Sequence, residues 1–214
     1  MHSVGNRVTC VVRSATEPAE GVAPAAAGDD AGTTVTGLWE VQYLLPFCWA
    51  GFVPAAFWTA HGARLTEAMA EGAAPEPPVT DIVVAWSVAE QAYASRLDGI
   101  VAAVPELEEP ARRFLEDVRS VADRTEHPVV HLCLDELVEM SWDEDDLGRY
   151  VTDVVREAGL WDDPTGEPHG ELTDLPTALA SAEPDRSFLL GGEWTHGGSA
   201  APRARPPALP RPVE

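Results

Sequence analysis

The sequence has no lysine. All 14 basic residues are arginine, set against 36 Asp and Glu, for a formal net charge of -22. Together with the surplus of Ala, Gly and Pro, the missing lysine matches the coding bias of a GC-rich genome and carries no functional weight. The shortage of positive charge matters more, because a field of this sign repels nucleic acid and favours basic partners. Cysteine is scarce as well. Cys10, Cys48 and Cys133 are an odd number, widely spaced, each inside an apolar run, which argues against a disulfide framework and predicts reduced core thiols. No serine lies in a G-x-S-x-G context, and no glycine-rich turn opens a helix to cradle phosphate. The acidic block at 143–146 lacks the alternating ligands and turn glycine of an EF-hand loop. The sequence therefore assigns no catalytic residue, no metal and no cofactor. Its first residues, MHSVGNRVTCVV, contain no apolar run long enough for export, and a cytoplasmic location is the expectation.

What the chain has in quantity is aromatic side chains in one place. The stretch Leu38 to Trp58, LWEVQYLLPFCWAGFVPAAFW, holds seven of the fifteen aromatics. Each can bury roughly 150 to 250 Å², so this stretch is expected to centre the core. Val41 to Ala60 is twenty residues without a formal charge, the length of a membrane span. Pro46, Gly51 and Pro54 interrupt it, and two internal prolines would leave backbone groups unpaired in lipid. No membrane span is expected, and the stretch should wrap around a sheet in short pieces.

Periodicity supplies the other elements. Val4 to Arg13 reads as a strand with Val8, Cys10 and Val12 on one face, and residues 14–34 as a flexible loop. Val35 to Leu45 is extended, Pro46 starts a helix broken near Gly51 to Pro54, and Phe57 to Ala70 resumes it. Asp81 to Trp86 is a short strand that hands over to a helix at Ser87, where Ser87 and Glu90 match a capping box. Pro105 ends that helix and Pro110 opens the next. Val129 to Leu134 is a strand, Glu136 to Met140 a short helix, and Asp143 to Gly159 a helix with Leu147, Tyr150, Val151, Val154, Val155 and Ala158 in its stripe. Trp161 to Pro176 is rich in turn formers, and Ser187 to Trp194 supplies a closing strand or extended segment. The expected architecture is α+β, a small antiparallel or mixed sheet covered by helices. One domain spans 1–194, and 195–214 form a disordered Pro/Arg tail.

Two constellations bear on function. On a strand, His127, His131, Cys133 and Asp135 fall on one face, which allows a metal or acid-base site with Asp135, Glu136 or Glu139 as the carboxylate. The more ordinary reading is a half-buried strand histidine beside solvated helix-end acids. The second constellation is the acidic half: residues 135 to 193 hold 17 Asp and Glu against three Arg. Glu136, Glu139, Asp143, Glu144, Asp145 and Asp146 are its candidate partner-binding residues, facing a basic protein that the field would steer.

The succession Gly5-Asn6-Arg7, Trp39-Glu40 and Tyr43 running into Leu45-Pro46, a strand and two helices, and then VVHLCLDELVEM resembles a group of bacterial proteins associated with the immunity proteins of polymorphic toxin systems. The likeness covers roughly residues 5 to 140. It implies a small α+β protein that acts by binding rather than catalysis, and no functional residue transfers with it. Residues 14–34 and those after Ser141 depart from the pattern. Three functions follow as expectations: an immunity-like binding protein, a hydrolase built on His131, and a peripheral membrane protein using residues 38–58.

Overall fold

In the computed structural model the described residues are 7–15, 35–42, 45–72, 79–141, 144–163 and 192–194. Tyr43, the segment 16–34, residues 164–191 and the tail from 195 lie outside them. The chain runs β1 (Arg7–Ser14), β2 (Val35–Gln42), α1 (Phe47–Ala50), α2 (Ala55–Ala70), β3 (Ile82–Ala85), α3 (Trp86–Ala103), α4 (Glu108–Ala122), β4 (Pro128–Cys133), α5 (Asp135–Met140), α6 (Glu144–Gly159) and β5 (Gly192–Trp194), with a 3-10 turn at Pro105–Leu107 before α4. The fold is α+β, as the sequence predicts.

The strands form one sheet in the order β3-β4-β1-β2-β5, and every neighbouring pair is antiparallel. β1 lies at the centre, hydrogen-bonded to β2 on one edge and β4 on the other. Cys10 pairs with Trp39 on β2 and with Leu132 on β4, while Ile82 and Val84 of β3 pair with Leu132 and Val130. This register gathers Val8, Cys10, Val12, Trp39, Val41, Ile82, Val84, Val130 and Leu132 on one face, all buried. α3 and α4 lie against that face. Since side chains alternate along a strand, Thr9, Val11, Arg13, His131, Cys133 and Val83 belong to the opposite face.

The aromatic stretch occupies the helical side in three pieces, β2, α1 and α2. Prolines separate them: Pro46 precedes α1, and Pro54 precedes α2 with an extended backbone (φ -57, ψ 145). Trp39, Phe47, Trp49, Phe52 and Trp58 are all buried. Phe52 lies 4.6 Å from the Tyr93 ring, 5.7 Å from Phe114 and 6.0 Å from Trp86, centroid to centroid, which ties α1's exit to α3 and α4. Among the described residues no helix is long and apolar enough to cross a membrane.

Trp161, which the sequence places in a turn-rich segment, belongs to this core. Its ring stacks on Phe47 at 5.2 Å and approaches Tyr93 at 4.7 Å, and its indole N-H donates to the Phe47 carbonyl at 3.0 Å. Gly51 is required by this packing, because a Cβ there would stand 2.7 Å from the Trp161 ring. Arg96 closes the assembly from outside. Its guanidinium donates to the carbonyls of Gly51 and Val53 and lies 5.8 Å from the Trp161 ring centre, where a cation is attracted to the π face. α6 packs on α2 in the same economical way, with Val151 set against Gly62 where a Cβ would come within 2.6 Å.

Two local expectations need correction. The Ser87 capping box is not formed: α3 begins at Trp86, its N-cap is Ala85, and no side chain caps it. Starting one residue earlier buries the Trp86 ring beside Phe52, and that burial outweighs the loss of one cap bond of roughly 1 kcal/mol. α4 likewise begins at Glu108 rather than Pro110, with Glu108 and Glu109 in its first turn, where the helix dipole favours them.

Candidate functional site

The opposite face of the sheet carries the polar cluster. Val11 on β1 and Val83 on β3 flank His131 as its registered partners, and both are buried, so the imidazole stands in a mostly apolar setting with its side chain 16% exposed. Asp81, immediately before β3, is 8% exposed at its side chain and reaches His131 Nε2 with Oδ2 at 2.8 Å. Cys133 Sγ approaches the same nitrogen at 3.5 Å. On the other side of the ring, Arg13 Nε donates to Nδ1 at 3.0 Å. Thr80 Oγ donates to Asp81 Oδ1 at 3.4 Å, and Arg64 of α2 donates to the Asp81 backbone carbonyl at 3.5 Å. Three strands and one helix therefore meet at a single carboxylate-imidazole pair.

The two sides of the ring make opposing demands. Donation from Arg13 requires Nδ1 unprotonated, which puts the neutral ring's proton on Nε2, facing Asp81. Burial also disfavours the imidazolium, yet the contacts with Asp81 and Cys133 outweigh it and raise the His131 pKa to about 9. Arg13 aims a donor at the nitrogen that would have to gain the proton.

This wiring differs from that of a cysteine nucleophile. In a thiol-imidazole-carboxylate relay the thiol and the carboxylate take different ring nitrogens, so that one orients the ring while the other gives up its proton. Here both converge on Nε2. The carboxylate and the sulfur are thus gathered at one nitrogen and not set at opposite ends of the ring.

The structure places the candidates from the sequence as follows. β4 ends at Cys133, so Asp135 is helical and does not extend the strand face; it lies with Glu136 and Glu139 on α5. His127 precedes the strand in a left-handed conformation, φ 46, and its exposed ring lies 3.9 Å from Glu126. The two histidines thus serve different ends of β4, and the carboxylate at His131 is Asp81, fifty residues earlier. Cys10 and Cys48 are free and buried, as expected, and burial pushes both thiols up, Cys48 to about 12. Cys133 departs from the core reading, being half-buried within the polar cluster. Of the acidic candidates, Glu136 is half-buried, Glu139 is exposed, and Asp146 is exposed and 3.4 Å from Arg149. Asp143 and the side chains of Glu144 and Asp145 lie outside the described residues.

His61 reads in the sequence as a helix-end histidine near unpaired carbonyls, but it lies inside α2. His61 of α2 is buried, and neither ring nitrogen has a hydrogen-bond partner. Burial, reinforced by the positive charge of Arg64 and partly offset by Asp81, holds its pKa down at about 4. The Trp58 ring stands edge-on to it at 6.1 Å.

No family model, no curated protein and no solved structure matches this chain.

Proposed function

We propose that the chain is a non-catalytic binding protein that docks a basic partner protein on the acidic surface of α5 and the start of α6. The observation that carries this reading is Met140. It is 45% exposed at the C-terminal end of α5, one of two large hydrophobic side chains exposed to that degree among the described residues. Glu139 is exposed beside it, and Asp146 is exposed in the first turn of α6. An unbranched, polarisable methionine adapts to many surfaces, and a rim of carboxylates adds long-range attraction for a cationic partner. Resemblance to immunity proteins supports the same reading and gives the partner a class, a toxin domain with a basic face, met in the cytoplasm. Nucleic acid is disfavoured as a partner by the net charge of -22. The membrane-surface alternative is weakened by the burial of Trp39, Phe47, Trp49, Phe52 and Trp58, the rings it would have to offer.

The test begins with a basic partner recovered from the native host and purified. Binding should weaken steeply with salt, and Met140→Asp or the pair Glu139→Arg and Asp146→Arg should each raise the Kd about tenfold or more. Affinity indifferent to salt and to both variants would contradict the assignment of this surface.

A further inference from the structure

From the convergence of three unlike donors on one point, we infer that Asp81, His131 and Cys133 form a binding site for a borderline divalent cation, zinc in the first instance. The ligand atoms of the three residues all lie within 4.8 Å of one another. They offer an oxygen, a nitrogen and a sulfur, the donor set that zinc accepts. A tetrahedral zinc with ordinary bond lengths would separate its nitrogen and sulfur ligands by about 3.6 Å and its nitrogen and oxygen ligands by about 3.4 Å. Cys133 Sγ and His131 Nε2 are already 3.5 Å apart. Asp81 Oδ2 and Nε2, at 2.8 Å, need to open by roughly 0.6 Å to admit the ion.

Charge and access agree with the geometry. A carboxylate, a thiolate and a neutral imidazole together carry two negative charges, which neutralise a dication in a setting that buried Val11 and Val83 keep apolar. His131 and Cys133 are only half-buried, which leaves the ion a path in and leaves water to complete a fourth position. Thr80 and Arg64 hold the Asp81 carboxyl and backbone from behind, the outer contacts that orient a ligating carboxylate. Binding releases the thiol proton to solvent and shifts the ring's single proton from Nε2 to Nδ1, which frees the Nε2 lone pair for the ion. Arg13 then faces an N-H with its own N-H and must turn aside. Arg13 is thus a brake on the site, and its removal should tighten binding.

This site is separate from the partner surface on α5 and α6, and its test needs no partner. Cobalt(II), which takes zinc sites and reports tetrahedral thiolate ligation by intense visible bands and a near-ultraviolet charge-transfer band, is titrated into the full-length protein near neutral pH, followed by displacement with zinc. One equivalent should bind, with both sets of bands appearing and then bleaching on zinc addition. Cys133→Ser should remove the charge-transfer band, His131→Ala should abolish binding, and Cys48→Ser should leave the spectrum unchanged. Arg13→Ala should tighten binding about tenfold. Far-ultraviolet circular dichroism establishes that each variant is folded; should His131→Ala fail to fold, the isosteric Cys133→Ser decides. Folded wild-type protein without cobalt bands, or bands that survive Cys133→Ser, would overturn the inference.

Discussion

The two faces of the central sheet are built from alternate residues of the same strands and have opposite characters. On the helical side, Cys10, Val12, Trp39 and Leu132 lie on the face that meets α3 and α4, and rings from α3 and α4 close around Phe52. On the other side, Arg13, His131, Cys133 and the nearby Asp81 hold one another by polar contacts among buried valines. Two histidines, one buried and one half-buried, mark the difference. His61 of α2 has no hydrogen-bond partner and is held neutral, whereas His131 is contacted at both nitrogens and its pKa is pulled upward. The side that excludes charge fixes the fold, and the side that gathers charge is where the cation site is proposed.

The largest effects are expected on the helical side. Trp161→Ala should cost about 3 to 5 kcal/mol in urea unfolding, because it empties a site stacked on Phe47 and removes a buried hydrogen bond. Trp49→Ala belongs to the same range, and a loss below about 1 kcal/mol at either position would break the comparison at its strongest point. Gly51→Ala should cost about 1 to 3 kcal/mol, since the added methyl meets the Trp161 ring rather than a flexible chain end.

The contrast between the histidines gives a pH test. His61 has a folded pKa of about 4, below the ordinary 6.5, so between those values the unfolded chain binds the proton that the folded chain refuses. Its contribution to stability is full above pH 6.5 and is lost as pH falls toward 4. The charged groups facing it are Arg64, which reinforces the effect, and Asp81, which opposes it. His61→Phe should therefore show a shallower loss of stability than wild type over that range; parallel curves would mean that the ring is solvated. The smallest effect is expected at Arg13. Arg13→Ala removes a single half-buried hydrogen bond to Nδ1 and should cost about 1 kcal/mol or less.

Much of the helical side was legible in the sequence because it follows from local rules. Alternation of Val8, Cys10 and Val12 gave β1 and its buried face, and the prolines at 46 and 54 gave the break between α1 and α2. Trp161 was missed because a single ring in a turn-rich segment has no periodicity to announce it; its place depends on α6 returning the chain to Gly51. The polar site was half legible. His131 and Cys133 share a strand face and could be paired by counting, but Asp81 and Arg13 join them only through β3-β4 and β1-β4 registers that sequence does not specify. Asp135 was chosen in their place because it is near in sequence, and the end of β4 at Cys133 turns it onto α5.

The central claim, that one face holds the fold while the other is free to bind, is tested most directly by urea unfolding of the combined variant Asp81→Asn, His131→Gln, Cys133→Ser beside Trp161→Ala. These three replacements keep polar groups of similar size in the cluster, so the account predicts a single cooperative transition and a smaller loss of stability than Trp161→Ala alone causes. A combined variant that is unfolded without urea, or that loses more than Trp161→Ala, would contradict it and make the polar cluster the support of the fold.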